Sequence, residues 1–138
     1  MSNLHAFLHP VQGEETKEIV ISKRFLGDDG EPVPFIIRAV TQEENDQLVK
    51  TSRRLVKGGR RGEKELDDIA YSRRLIVAAT VEPDFSSEEL CRTYKTLDPL
   101  EVPAKMLLSG EYSRLMNAIM KLSGFDEDAD DLKGEAKN

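Results

Sequence analysis

The chain has little of what most catalytic and metal sites are built from. Its 138 residues include one cysteine, two histidines and no tryptophan, and only 6% of them are aromatic. A single cysteine excludes an internal disulfide and favours a reducing compartment. No apolar run approaches the roughly 20 residues that a membrane-spanning helix needs. The N-terminus resembles no secretory signal, so we expect a soluble cytoplasmic protein that does not contact a membrane.

Charged side chains are abundant but unevenly distributed. They make up 33% of the residues, and the formal net charge is −6. The segment 50–65 carries seven basic and two acidic side chains, a net charge of +5, which leaves −11 for all other positions. This asymmetry suggests an electrostatic role for the segment, such as contact with the acidic surface of another copy. The basic residues assigned to such self-association are Arg53, Arg54, Lys57, Arg60, Arg61 and Lys64.

The first folded element is predicted to be a β-hairpin. Asp29-Gly30 favours a tight turn between two runs in which apolar residues alternate. Pro32 and Pro34 lack an amide donor, so the second strand should begin irregularly or lie at a sheet edge. The apolar positions are Ile19, Ile21 and Phe25 in the first run, and Val33, Phe35, Ile37 and Ala39 in the second.

Two helices are predicted next. Thr41 and Glu44 form a capping box, and we expect this helix to end at Gly58 and Gly59. A second helix should begin near Glu63. For its last residues, LIVAATV, which are rich in β-branched side chains, a strand is an alternative. The residues at helical spacing, which form its predicted stripe, are Leu66, Ile69, Ala70, Arg73 and Val77.

Three shorter helical pieces complete the predicted fold. Ser86 with Glu89 reads as another capping box, and Asp98 caps a turn that begins at Pro99. The last helix should end at Gly124. Its apolar stripe contains Tyr112, Leu115, Met116, Ile119 and Leu122.

These elements predict an α+β fold in which an N-terminal β-hairpin is followed by four to five α-helices. We expect a flexible N-terminus at 1–16, a single domain at 17–125 and a disordered acidic tail at 126–138. The tail is rich in aspartate but lacks the glycine and final glutamate of a calcium loop.

No enzyme signature is present, and we predict no catalysis, metal or cofactor. His5 and His9 have helical spacing but no HExxH context. Cys91 has no histidine in the predicted core to act as its base. The basic segment lacks the spacing of a phosphate-binding loop, and no aromatic residue lies between Phe35 and Tyr71 to stack on bases. A flexible loop is therefore favoured over nucleic-acid binding, although a small nucleic-acid-binding regulator that uses residues 50–64 remains an alternative.

Several segments resemble a known family, the XkdN-like tail assembly chaperones of long-tailed bacteriophages and PBSX-like prophages of Gram-positive bacteria. The resemblance is carried by SKRFLGDDGEPVPFIIRAVTQEENDQL, RRLIVAATVEPDFSSEEL and KMLLSGEYSRLMNAIMKLSGF. These segments cover roughly 22–48 and 74–125. The order of the features makes the resemblance specific, since each of them alone is weak.

The resemblance implies a non-enzymatic protein of the host bacterial cytoplasm that binds the tape measure protein. It would keep that long, helix-rich client soluble until tail tube subunits polymerise around it. The resemblance also allows two further partners, the tail tube protein and other copies of the chaperone along the client. A structural tail component retained in the virion is the other alternative. Binding of an amphipathic client needs adaptable apolar side chains. The candidates are Met106, Leu107, Leu108, Leu115, Met116, Ile119 and Met120, any of which can instead be ordinary core.

Overall fold

The structure, a computed structural model, describes residues 3–11 and 16–125. The predicted acidic tail at 126–138 therefore lies outside the described residues. A short helix, α1 (Leu4–Leu8), lies within the N-terminal segment. The chain then forms a three-stranded sheet, a separate two-stranded sheet and five further α-helices, which agrees with the predicted α+β class.

The predicted N-terminal hairpin is present as the first two strands of the three-stranded sheet, but its strands are shorter than predicted. Residues 20–34 connect them, and Asp29-Gly30 forms a turn within this connection instead of joining the two strands directly. Strand β1 (Thr16–Ile19) pairs antiparallel with β2 (Phe35–Arg38), and β5 (Thr80–Glu82) pairs with the other side of β2. The predicted irregular start is confirmed, because β2 begins only after Pro34. The alternative of an edge position is wrong, since β2 is the central strand. Both prolines precede the ladder, so neither removes a donor from it.

Helix α2 (Gln42–Thr51) begins as predicted but ends earlier. The Thr41 hydroxyl accepts a hydrogen bond from the Glu44 amide at 3.2 Å, and the Glu44 carboxylate accepts one from the Thr41 amide at 3.4 Å. The helix stops at Thr51 rather than at the glycine pair. Strands β3 (Arg53–Leu55) and β4 (Lys64–Leu66) follow as an antiparallel hairpin.

This second hairpin contradicts the predicted helix end and flexible loop. Its base is closed where the Asp67 amide donates to the Ser52 carbonyl at 2.8 Å. Gly58 and Gly62 have φ angles of +79° and +80°, which let the chain reverse between the strands. The glycines therefore form a turn between two strands and do not cap a helix.

Helix α3 (Asp68–Ala79) begins later than expected and buries a face that only partly matches the predicted one, since Val77 of the predicted stripe packs against the core. Its cap is Asp67, whose carboxylate accepts from the Ala70 amide at 3.1 Å. The side chains that face the core are Leu75, Ile76 and Ala79. Ile69, assigned to the predicted apolar stripe, is 68% exposed. The ambiguous LIVAATV segment contains both structures, since the helix ends at Ala79 and β5 follows directly.

The remaining elements are close to those predicted. The cap of α4 is Ser87 rather than Ser86, which instead bonds to Asp84. Asp98 caps a 3-10 turn as expected, and Gly124, two residues after the end of α6, has a φ of +86° and terminates the helix as predicted. The bounds are α4 (Glu88–Thr93), the 3-10 turn (Pro99–Glu101), α5 (Val102–Met106) and α6 (Ser109–Leu122).

One hydrophobic core lies between the three-stranded sheet and the helices. The sheet contributes Phe35 and Ile37, α3 contributes Leu75 and Ile76, and the helices α4 to α6 cover them. Burying each of these large side chains contributes about 1.5–3 kcal/mol. The fully buried members include Ile21, Ile37, Leu75, Ile76, Phe85, Val102, Leu115 and Ile119.

Candidate functional surfaces

An open groove runs between α3 and the α5–α6 corner, and we refer to it as the α3–α5 groove. Its volume is about 460 Å³. The apolar lining comes from Ile69 on α3, Ala104 and Leu107 around α5, and the ring of Tyr112 on α6. The polar lining consists of Asp68, Ser72, Arg73, Ser109 and Ser113.

The two walls of this groove are joined by a side-chain hydrogen bond. The hydroxyl oxygens of Ser72 and Tyr112 lie 2.5 Å apart, which connects α3 to α6. On the far side of α3, the Tyr71 hydroxyl donates to the Asn45 amide oxygen of α2. Since α3 is held from both sides, the groove is a preformed surface. An apolar floor with a mixed polar rim is suited to the apolar face of an amphipathic helix.

The structure divides the seven predicted client-binding residues by burial. Met106, Leu115 and Ile119 lie in the core. Met116 and Met120 are partly buried and pack against the core. Leu107 is mostly buried but lines the α3–α5 groove, and Leu108 is 61% exposed on the opposite side of the α6 N-terminus.

An ion pair ties the loop after β1 to the start of α6. The Arg24 guanidinium donates to the two carboxylate oxygens of Glu111 at 2.5 and 3.1 Å, and to the Met106 carbonyl at 3.1 Å. The Leu108 amide also donates to Glu111, at 2.8 Å. The bonds from Arg24, followed by those from Ser22 and Leu108, lower the pKa of Glu111 from 4.5 to about 2. This carboxylate therefore stays charged at neutral pH, although its side chain is only 9% exposed.

The depressed pKa of Glu111 predicts a pH dependence of stability. The ion pair stabilises the fold above pH 4.5, and this contribution is lost as the pH falls from 4.5 to about 2. A Glu111→Gln variant should be less stable at neutral pH and lose less stability through that acidic window. Thermal midpoints measured across this pH range check the expectation. An equal gap between the two proteins at every pH would contradict it.

The β3–β4 hairpin, residues 53–66, holds all six predicted electrostatic residues, and we refer to it as the basic arm. All six of its strand residues are exposed. Cross-strand partners share a face, so Arg53, Leu55, Lys64 and Leu66 lie on one side. On the other side, Arg54 pairs with Glu65 at 3.2 Å. Lys57, Arg60 and Arg61 lie in the loop that connects the two strands, and all three are exposed.

Few other groups within 3–11 and 16–125 are arranged for chemistry. His5 and His9 lie with ring centroids 4.6 Å apart on and beside α1. Cys91 is buried, and its thiol donates to the Phe85 carbonyl at 3.6 Å. No group of three or more His, Cys, Asp or Glu side chains in these ranges could hold a metal ion. Nor does any helix there have the length and apolar character to cross a membrane.

Known proteins match nearly the whole chain. The model of the phage XkdN-like tail assembly chaperone family matches residues 4–137. Over 131 residues, the chain is 44% identical to the uncharacterized protein YqbN of Bacillus subtilis strain 168, covering 93% of this chain and 87% of that protein. It is 40% identical, with the same coverage, to the phage-like element PBSX protein XkdN of the same strain.

The fold is also shared with a solved structure. The crystal structure of YqbN matches with a TM-score of 0.70 and 36% sequence identity, covering 88% of this chain and 96% of the other. The matched family is one of tail assembly chaperones and not of enzymes. The chain therefore belongs to the family of XkdN-like phage tail assembly chaperones.

Proposed function

We propose that this tail assembly chaperone binds the tape measure protein in the host cytoplasm and keeps it soluble until tail tube subunits polymerise around it. The observation that carries the proposal is the open α3–α5 groove, which offers an apolar floor to a helical client. Family membership supports a role in tail assembly, and the groove supplies a surface through which that role can be performed.

Client binding by this groove would be weak at each site and strong in sum. A groove of about 460 Å³ accommodates only a short stretch of an amphipathic helix. A long helical client presents many such stretches, so several copies would bind along it and cover its apolar faces. Reversible binding of this kind allows tube subunits to displace the chaperone one copy at a time.

The seven residues predicted to bind the client would have different roles: some would contact it and others would support the groove. Leu107 would contact the client directly, and Leu108 would extend the contact around the start of α6. Met116 and Met120, which are partly buried, would change conformation to fit different client segments, since methionine side chains are flexible. The others would support the groove from the core: Met106, Leu115 and Ile119.

Co-expression with the tape measure protein of the same genome tests the proposal. We expect that protein to be insoluble alone, and to elute with several copies of the chaperone when both are present. A tape measure protein that stays insoluble, with nothing co-eluting, would contradict the proposal.

Purified virions provide the second readout, because a chaperone should be absent from them and a structural tail component should be retained.

A further inference from the structure

We propose that the basic arm of one copy docks into an acidic groove on a second copy, so that the chaperone associates head to tail. The acidic groove lies between β5 and α4, and we refer to it as the β5–α4 groove. The inference concerns contact between copies of the chain and is tested without the client. Its failure would therefore leave the proposed function standing.

The arm has the properties of a surface that is completed by a partner. Two-stranded hairpins are marginally stable in water unless another element covers them. Yet Leu55 on β3 is 67% exposed and Leu66 on β4 is 38% exposed. These leucines share their face with Arg53 and Lys64, so that face combines two apolar and two cationic side chains.

The β5–α4 groove has the opposite charge and a matching apolar floor. Its volume is about 570 Å³. Glu82, Asp84 and Glu89 provide three carboxylates, and no basic residue lines it. β5 is also an edge strand of its sheet, a position open to further pairing. The apolar lining consists of Val81, Pro83 and Leu90.

The two surfaces lie at opposite ends of α3, which is compatible with head-to-tail association. The arm leads into the start of α3 at Asp67, and β5 leaves its other end at Thr80. The 12 residues of α3 separate these ends by about 18 Å, at 1.5 Å per residue. Each copy would offer its arm to one neighbour and its groove to another. Such heterologous contacts extend into an open row unless the rotation between copies closes a ring.

The contact should be weak for an isolated pair of copies. An arm of this size buries less than the roughly 1,200 Å² typical of stable interfaces. Because its charges remain near solvent, salt should screen the attraction, the Debye length being about 8 Å at physiological ionic strength. Binding of neighbouring copies to one long client would raise their effective concentration and strengthen the association.

A charge-swap experiment on the full-length chain tests the inference. The arm variant carries Arg53→Glu and Lys64→Glu, and the groove variant carries Glu82→Lys and Glu89→Lys. Sedimentation velocity after nuclease treatment should show wild-type association at low salt that disappears at high salt. Each variant alone should stay monomeric. A mixture of the two should associate again, because the unaltered arm of one variant meets the unaltered groove of the other, and the reversed arm meets the reversed groove.

The control variant carries Lys105→Glu and Lys121→Glu, two exposed positions on α5 and α6 that give the same change of net charge as the arm variant. It should associate as the wild type does. A groove variant that still associates, a mixture that stays monomeric, or a monomeric wild type at low salt would each overturn the proposal. So would association that nuclease abolishes, since that result would assign the arm to nucleic acid.

Discussion

Replacing Ile69 with glutamate should weaken binding of the tape measure protein about tenfold or more, which corresponds to about 1.4 kcal/mol of binding free energy, and should lower its soluble yield on co-expression. The substitution places a charge on the floor of the α3–α5 groove, where the apolar face of a client helix would bury it. Ile69 is 68% exposed in the free chain, so the fold should tolerate the change. The measurement is the amount of client that co-elutes with the chaperone.

A matched control comes from a second exposed aliphatic residue outside the groove. Leu97 is fully exposed, at 102%, in the segment before the 3-10 turn. Leu97→Glu introduces the same charge and removes a similar apolar side chain, and it should leave client recovery unchanged. Equal losses in both variants would show that net charge or general surface hydrophobicity controls recovery. The α3–α5 groove would then have no special role.

Replacing Ile119 with alanine should destabilise the chain by about 2–5 kcal/mol, the range for large-to-small substitutions in a packed core. Ile119 is completely buried where α6 packs against the core, so its removal leaves a cavity and loses apolar contacts. Leu108→Ala removes an exposed side chain from the same set of predicted client-binding residues. That variant should change the free energy of unfolding by no more than about 0.5 kcal/mol.

Urea unfolding of the two variants and the wild type separates the residues that support the surface from those available to a client. The Ile119→Ala midpoint should move far below the wild-type midpoint, and the Leu108→Ala midpoint should stay close to it. A small effect at Ile119 would contradict the packing of α6. A large effect at Leu108 would mean that this side chain is covered in solution.

The features that could be predicted from the sequence are those that short-range chemistry specifies. Thr41 and Glu44 form both hydrogen bonds of the predicted capping box. Asp98 caps its turn, and Gly124 takes the left-handed conformation that ends α6. These features depend on residues within a few positions of one another, so the surrounding fold does not alter them.

The basic arm shows where local patterns failed. The segment after Thr51 contains helix-favouring lysine, arginine and leucine residues, and its glycines match a helix cap. The deciding bond joins the Asp67 amide to the Ser52 carbonyl, 15 positions apart along the chain. This hydrogen bond closes the base of the hairpin next to the pair Arg53–Leu66. Helical propensity, which depends on neighbouring residues, cannot reveal a contact between positions so far apart.

The α3–α5 groove could not be predicted because it exists only after α3 packs against α5 and α6. A helix that begins near Glu63 predicts that Ile69 shares a stripe with Leu66 and Val77, because these residues have helical spacing. In the structure, Leu75 and Ile76 are buried instead, and Ile69 turns towards the groove. The sequence shows that Ile69 is apolar, but it does not show which face of α3 carries this residue.

The most direct test of client binding in the α3–α5 groove is hydrogen–deuterium exchange on the chaperone, alone and in complex with the tape measure protein. We expect slower exchange on binding in peptides from the start of α3 and from the α5–α6 corner, which form the two walls. Peptides from β1 should exchange equally in both states. Protection confined to other surfaces, or none at all in a complex that has formed, would contradict client binding in this groove.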